Sequence, residues 1–119
     1  MNKKIKKYEL IKDDTKTINN KTLYRIRALR DFNDVKKGDL GGYVESESNL
    51  SHDHNAWIYD NACSYENSHI GINAGIHNNS KVYGNAYIGD NAHVSGCAHI
   101  CRNTFVYNDA FICEHENTI

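Results

Sequence analysis

Between Asn55 and Glu114 the chain repeats one six-residue pattern ten times without insertion or deletion: Asn, small, any, aliphatic, any, any. The aliphatic position holds Ile58, Ser64, Ile70, Ile76, Val82, Ile88, Val94, Ile100, Val106 and Ile112, so nine of ten are β-branched and apolar. Two residues earlier stand Ala56, Ala62, Ser68, Ala74, Ser80, Ala86, Ala92, Ala98, Thr104 and Ala110, and one further back is an Asn in eight of the ten hexads. One inward branched residue and one small residue per hexad predict a parallel β-helix, in which about three hexads close a triangular coil of about 18 residues. Ile and Val fill the prism because a branched side chain packs well on a pleated strand. The small residue sits where the wall turns, and Asn suits the corner because it tolerates left-handed backbone angles and bonds nearby backbone.

The stretches Ile88-Gly89-Asp90-Asn91-Ala92 and Val82-Tyr83-Gly84-Asn85-Ala86 resemble the left-handed β-helix, or hexapeptide-repeat, proteins. That resemblance implies a left-handed coil; the best-known members are trimeric acyltransferases, and others are non-catalytic. The segments Leu23-Tyr24-Arg25-Ile26-Arg27-Ala28-Leu29 and Gly38-Asp39-Leu40-Gly41-Gly42-Tyr43-Val44-Glu45 are also similar to a small group of bacterial and prophage-encoded repeat proteins, which carry only generic transferase or polymer-forming labels.

Ahead of the repeats, Val44 and Leu50 keep the hexad spacing, but Leu50 to Ile58 is eight residues, so Asp53 and His54 form a two-residue bulge. Two early rungs and ten regular ones make about four coils. Residues 1–7 are expected to fray. Tyr8 to Ile11 reads as a strand, Asp13 to Lys21 as a polar turn, and Leu23 to Leu29 as a second strand by alternation. This hairpin would cover one end of the helix, whose unpaired strand edges otherwise invite aggregation. Gly41-Gly42 is expected to bend tightly into the first coil. The organisation is a basic β cap over residues 1–40 and a β-helix over 41–119, all-β throughout. The far end, His115 to Ile119, offers no capping element, with Glu114 and Glu116 as gatekeepers.

Charge alters this picture. Residues 1–37 hold twelve Lys or Arg against five Asp or Glu, a net of +7; residues 38–119 hold two against ten, a net of −8. The resulting dipole is either a solvated basic cap or a surface for nucleic acid or an acidic protein, with Arg25, Arg27 and Arg30 as its contacts. The basic start lacks the apolar stretch of a secretory signal, and four cysteines without paired spacing fit a reducing compartment, so a bacterial cytoplasm is expected.

Residues 18 apart stack on one face. One outward column contains Trp57, Gly75, His93 and Phe111; another His69, Tyr87 and Phe105; a third Tyr65, Tyr83 and Cys101. Eight aromatics fall among the twenty outward positions and none among the ten inward ones. Trp57, Tyr59, Tyr65, Tyr83, Tyr87, Phe105 and Phe111 thus read as a partner surface, or as rings that simply stack across strands. For acyl transfer, His52 or His54 would be the base, beside the only irregularity in the repeat, but no acceptor site is evident. Cys97, His99 and Cys101 alternate outward and suit zinc by type, yet lack a fourth ligand and a finger spacing. His93 and His99, one hexad apart, lie on different faces. Ser64, the single polar inward residue, is expected to bond a backbone group beneath the irregular coil. No phosphate loop, carboxylate pair or nucleotide fingerprint is present.

The resulting expectation is a non-catalytic, phage-related interaction protein that acts through its surface on a protein partner, such as a host nucleic-acid-guided defence complex. It would bind no cofactor or metal and would be a homodimer or homotrimer. The alternatives are a hexapeptide-repeat acyltransferase and a phage structural or polymer-forming module.

Overall fold

In the computed structural model, residues 6–114 are described. Within them the inward residues form three columns, each four deep. Val44, Ser64, Val82 and Ile100 line one face, Leu50, Ile70, Ile88 and Val106 the second, and Ile58, Ile76, Val94 and Ile112 the third. Every neighbour in a column is paired in parallel register, so the chain is a β-solenoid of four coils. The rungs after the first repeat every 18 residues, whereas Val44 to Ser64 and Leu50 to Ile70 span 20, the two-residue surplus expected around Asp53 and His54. Apart from Ile112, every inward residue is buried. Each buried Ile or Val stabilises the prism by about 1.5–3 kcal/mol.

The short strands of the coils are β3 (Leu40–Val44), β4 (Trp57–Ile58), β5 (Cys63–Ser64), β6 (His69–Ile70), β7 (Gly75–Ile76), β8 (Lys81–Val82), β9 (Tyr87–Ile88), β10 (His93–Gly96), β11 (His99–Ile100), β12 (Phe105–Val106) and β13 (Phe111–Glu114). They are preceded by β1 (Tyr8–Ile18) and β2 (Lys21–Ala28). Three sheets form the walls: β1-β2-β3-β5-β8-β11, β4-β7-β10-β13 and β6-β9-β12.

The corners differ from expectation in one respect. The left-handed residue is not the repeated Asn but the position before it: Asp60, Glu66, Ile72, Asn78, Gly84, Asp90, Gly96, Arg102 and Asn108 all have positive φ. It is the second residue of a four-residue turn, closed for example by the Ala62 N–H donating to the Tyr59 carbonyl at 3.1 Å. The repeated Asn instead builds ladders up the outside. Asn73 Nδ2 donates to Asn91 Oδ1 and Asn91 Nδ2 to Asp109 Oδ1, each at 3.3 Å, and a second ladder joins Asn67, Asn85 and Asn103.

The hairpin forms, but its strands are longer than read. Asp13 to Ile18 stays in β1 across a bulge, and the turn is Asn19-Asn20 with φ of 51° and 66°, a two-residue hairpin loop that Asn tolerates. The pattern misled because Asp, Lys and Thr here face water on a strand with one open side. Pairing of β2 with β3 closes the edge of the first coil. Gly41 and Gly42 lie within β3 rather than at a bend, because a Cβ on Gly41 would come within 2.7 Å of Ile26, Trp57 and the Ile58 carbonyl. Residues 1–5 and 115–119, where fraying and an uncapped end were expected, lie outside the described part.

Lys7 is not frayed. Its ammonium is buried, donates to the Ala56 carbonyl at 2.5 Å and lies 4.9 Å over the Phe32 ring. Burial, with Arg30 nearby, lowers its pKa to about 7. Tyr8 beside it donates to the Leu50 carbonyl at 2.6 Å, so the start of β1 plugs the first coil. Ser64 tolerates the core because its hydroxyl meets that of Ser68 at 2.6 Å and the Asn49 carbonyl at 3.4 Å.

Candidate functional site

The cap rearranges the expected partner surface. Trp57 is buried, its ring 5.2 Å from Phe32 and 6.2 Å from Tyr8, both edge-on. Tyr65 is also buried, stacked on Tyr83 at 5.1 Å and packed with Leu23, Tyr43 and Cys63. Neither is outward surface, because the hairpin and the loop after it lie over these positions. Arg25 is committed to the fold through Asp14 Oδ2 at 3.0 Å, the Gly41 carbonyl at 2.8 Å and the Tyr43 hydroxyl at 2.6 Å. Arg30 donates to the His52 carbonyl at 3.2 Å, and Arg27 pairs with Glu9 on an exposed strand. Tyr59, Tyr83 and Tyr87 are half-buried, while Phe105 and Phe111 are 66% and 71% exposed.

His52, the expected base, has both ring nitrogens in use. Nδ1 accepts the Lys7 backbone N–H at 3.1 Å, which leaves Nε2–H to donate to Glu47 Oε1 at 2.7 Å, and the ring stacks on Tyr8 at 4.1 Å. With no lone pair to offer, it holds the cap rather than moving protons. His54 is exposed at the bulge with a left-handed φ of 60°. Among the described residues no three His, Cys, Asp or Glu side chains converge as a metal would require. Around Cys101, the Tyr83 hydroxyl meets His99 Nδ1 at 3.4 Å, and its bond with Cys101 raises the Tyr83 pKa.

A different pair of imidazoles does meet. His77 follows inward Ile76 and His93 precedes inward Val94 on the next coil, so both point outward and lie diagonally across the sheet of β7 and β10. Their ring nitrogens, His77 Nε2 and His93 Nδ1, are 3.0 Å apart, with centroids at 5.2 Å. Gly75 makes this possible, since a Cβ there would sit 2.7 Å from His93 Nδ1 and 2.8 Å from His77 Nε2. Beneath, the Tyr59 ring stacks on His77 at 4.5 Å and 6°. Its hydroxyl donates to Asp34 Oδ1 at 2.8 Å. Asp34 is steadied by the neighbouring Phe32 and Val35, which are buried and joined by a pair of backbone hydrogen bonds.

Burial pushes the His77 imidazole below its ordinary pKa, and His93 adds to that shift. Burial and then Asp34 hold the Tyr59 hydroxyl protonated above its usual range. His77 is therefore neutral near pH 7, the form that accepts a proton. On one side of it opens a polar cleft of about 290 Å³ lined by Asn33, Asn55, Tyr59, Asn73, Asn91 and His93. On the other lies a shallower, mainly apolar depression of about 470 Å³ between His77, His93, Ser95 and Phe111. A third, polar groove of about 670 Å³ near Lys21 and Glu66 holds no histidine or cysteine.

Reading by columns of 18 placed His93 above Gly75 but missed His77, because the two histidines are 16 apart and belong to adjacent columns. The signal was a Gly below one His with a second His two residues on.

No protein-family model matches the chain. Over 61 residues it is 41% identical to the uncharacterized acetyltransferase YdcK of Escherichia coli (strain K12). Those residues are 50% of this chain and 19% of that protein, so the chain spans about a fifth of the length of the curated relative it matches.

Proposed function

We propose that this chain carries an acyl-transfer site in which the His77–His93 pair is the general base. The observation that carries the reading is a half-buried imidazole pair, 3.0 Å apart, set between a polar cleft and an apolar depression. The base takes the proton of an acceptor hydroxyl or amine as its lone pair attacks a thioester carbonyl; collapse of the tetrahedral adduct breaks the C–S bond, and the proton passes to the departing thiolate. The amide-lined cleft suits a polar acceptor, and the depression beside Phe111 an acyl chain. The partial likeness to a protein named as an acetyltransferase supports the same reaction class. The test is thiol release from acetyl-CoA with a panel of hydroxyl and amine acceptors. Replacing both histidines by Ala is expected to lower turnover by about 10²–10⁴-fold. Equal thiol release by both proteins would exclude the site.

A protein-binding module is the second reading, favoured by the exposed rings of Phe105, Tyr107 and Phe111 on the last coil. Inhibition of a host defence complex and polymer formation are forms of it that rest on sequence resemblance. Capture of a stoichiometric partner by the native protein, lost on Phe105→Ser with Phe111→Ser, would support it; capture unchanged by those substitutions would count against it.

A further inference from the structure

Two neutral imidazoles that share one hydrogen bond cannot play the same part, since one donates and the other accepts. If His77 Nε2–H donates, His93 Nδ1 accepts and the single proton of His93 sits on Nε2, which leaves no lone pair for the cleft. If His93 Nδ1–H donates, the lone pair lies on His93 Nε2. The surroundings separate the two cases. His93 lines both the polar cleft and the apolar depression, whereas His77 borders only the depression. One face of His77 is covered by Tyr59 at 4.5 Å. Asp34 Oδ1 accepts the Tyr59 hydroxyl at 2.8 Å and Asp60 Oδ2 accepts the Asn78 backbone N–H at 3.0 Å, so both carboxylates are held beside His77 by its neighbours. Only the second case leaves a bare nitrogen, His93 Nε2, on the histidine that borders the cleft. Nε2 of His77 is then the acceptor.

From this geometry we infer that His93 is the catalytic base, through Nε2, and that Asp34, Tyr59 and His77 are positioning residues that fix its tautomer. Asp34 pins the Tyr59 hydroxyl, Tyr59 fixes the plane of His77, and His77 Nε2 receives His93 Nδ1–H at 3.0 Å. When His93 Nε2 takes the acceptor proton, the Nδ1 proton bonds more strongly to His77 or crosses to it. The pair gains one proton and one positive charge, and returns that proton to the leaving thiolate. No further reactant is needed. Gly75 belongs to the same arrangement, as the gap through which the bond runs.

The inference rests on the acyl-transfer reading for the role of His93 as base, while the tautomer is measurable without turnover. Long-range proton–nitrogen NMR of the whole chain at neutral pH should show His93 with a protonated Nδ1 and a bare Nε2. The opposite tautomer overturns the inference whether or not the protein transfers acyl groups. In kinetics, His77→Ala should lower kcat about 10- to 1000-fold, because a tautomer-fixing partner is worth at least that much to a catalytic histidine. KM should change by less than about threefold. His77→Gln, which restores an acceptor, should recover both the His93 tautomer and a large part of kcat. Tyr59→Phe should keep the fold and the stacked ring yet shift the acid limb of the kcat profile, a change that a merely structural role would not produce. An unchanged tautomer and kcat in His77→Ala would overturn the inference. Correct tautomers without thiol release would leave the proton arrangement in place and remove the acyl-transfer reading.

Discussion

Two faces of the prism carry rings at the same 18-residue spacing and have opposite surfaces. On the β6-β9-β12 face His69, Tyr87 and Phe105 share one column: His69 stacks on Tyr87 with centroids 5.8 Å apart, and Phe105 is tilted 58° against Tyr87 at 5.9 Å. The Tyr87 ring lies over Gly89, where a Cβ would be 2.5 Å from Cε1. On the β4-β7-β10-β13 face the glycine, Gly75, sits in the column before the inward residue, and the column after it holds Tyr59 and His77. Two imidazoles therefore cross the gap and bond, where the other face has only a ring leaning on a bare backbone. Identical scaffolds with a glycine shifted by one outward column yield a smooth wall in one case and a titratable pair in the other. Glycine acts here through the space it leaves rather than through a special φ.

The strongest way to break the comparison is to remove what the faces share. Ile76→Ala under the histidine face and Ile88→Ala under the aromatic face should each cost about 2–5 kcal/mol in denaturant unfolding. A large inequality between them would show that the faces do not rest on one continuous core. Next comes the glycine itself. Gly75→Ala should lower turnover about 10²-fold by parting the imidazoles while costing less than about 1 kcal/mol, since both rings can swing outward. Gly89→Ala should displace Tyr87 at a similar small cost without touching turnover. The contrast fails if both substitutions affect turnover alike. At the corner between the faces, Ile72 is a β-branched residue with φ of 57° and is 37% exposed. Ile72→Asn should stabilise the protein by about 0.5–1 kcal/mol, because Asn adopts that conformation with less strain; a lower melting temperature would refute the strain.

The smallest effect is one of pH. Because the folded pKa of His77 lies below its unfolded value, the unfolded chain binds the extra proton between the two. Stability contributed by the neutral His77 is therefore complete above the unfolded value and falls as pH drops through that window. Unfolding midpoints compared at about pH 7.5 and about pH 5 should decline less in His77→Gln than in the native protein. An identical decline in both would assign the acid sensitivity to other groups.

The hexad was legible because its physics is local and repeated. Each inward Ile or Val, each small residue before a strand and the two-residue surplus before Ile58 meant the same thing at every coil. The cap was half legible. Alternation in Leu23 to Leu29 marked β2, whereas Asp13 to Ile18 looked like loop, since a strand with one open side carries polar residues as a turn does. The candidate site was nearly illegible, although His93 stood in one of the outward columns and Tyr59 among the expected partner-surface residues. What joins them is His77 in a neighbouring column and Asp34 from a loop more than twenty residues earlier.

From the sequence alone came the coil, its depth, its parallel register and the stacking of outward columns, because a fixed period dictates which residues share a face once one strand is placed. Tertiary structure alone decided which outward residues stay outside. The hairpin folds back over Trp57 and Tyr65 and removes them from the surface, Arg25 turns inward to Asp14 and Tyr43, and His52 spends both nitrogens on Lys7 and Glu47. Those contacts join residues 5 to 45 positions apart without any period, so no repeat encodes them. They are set by how one non-repeating segment packs against a periodic wall.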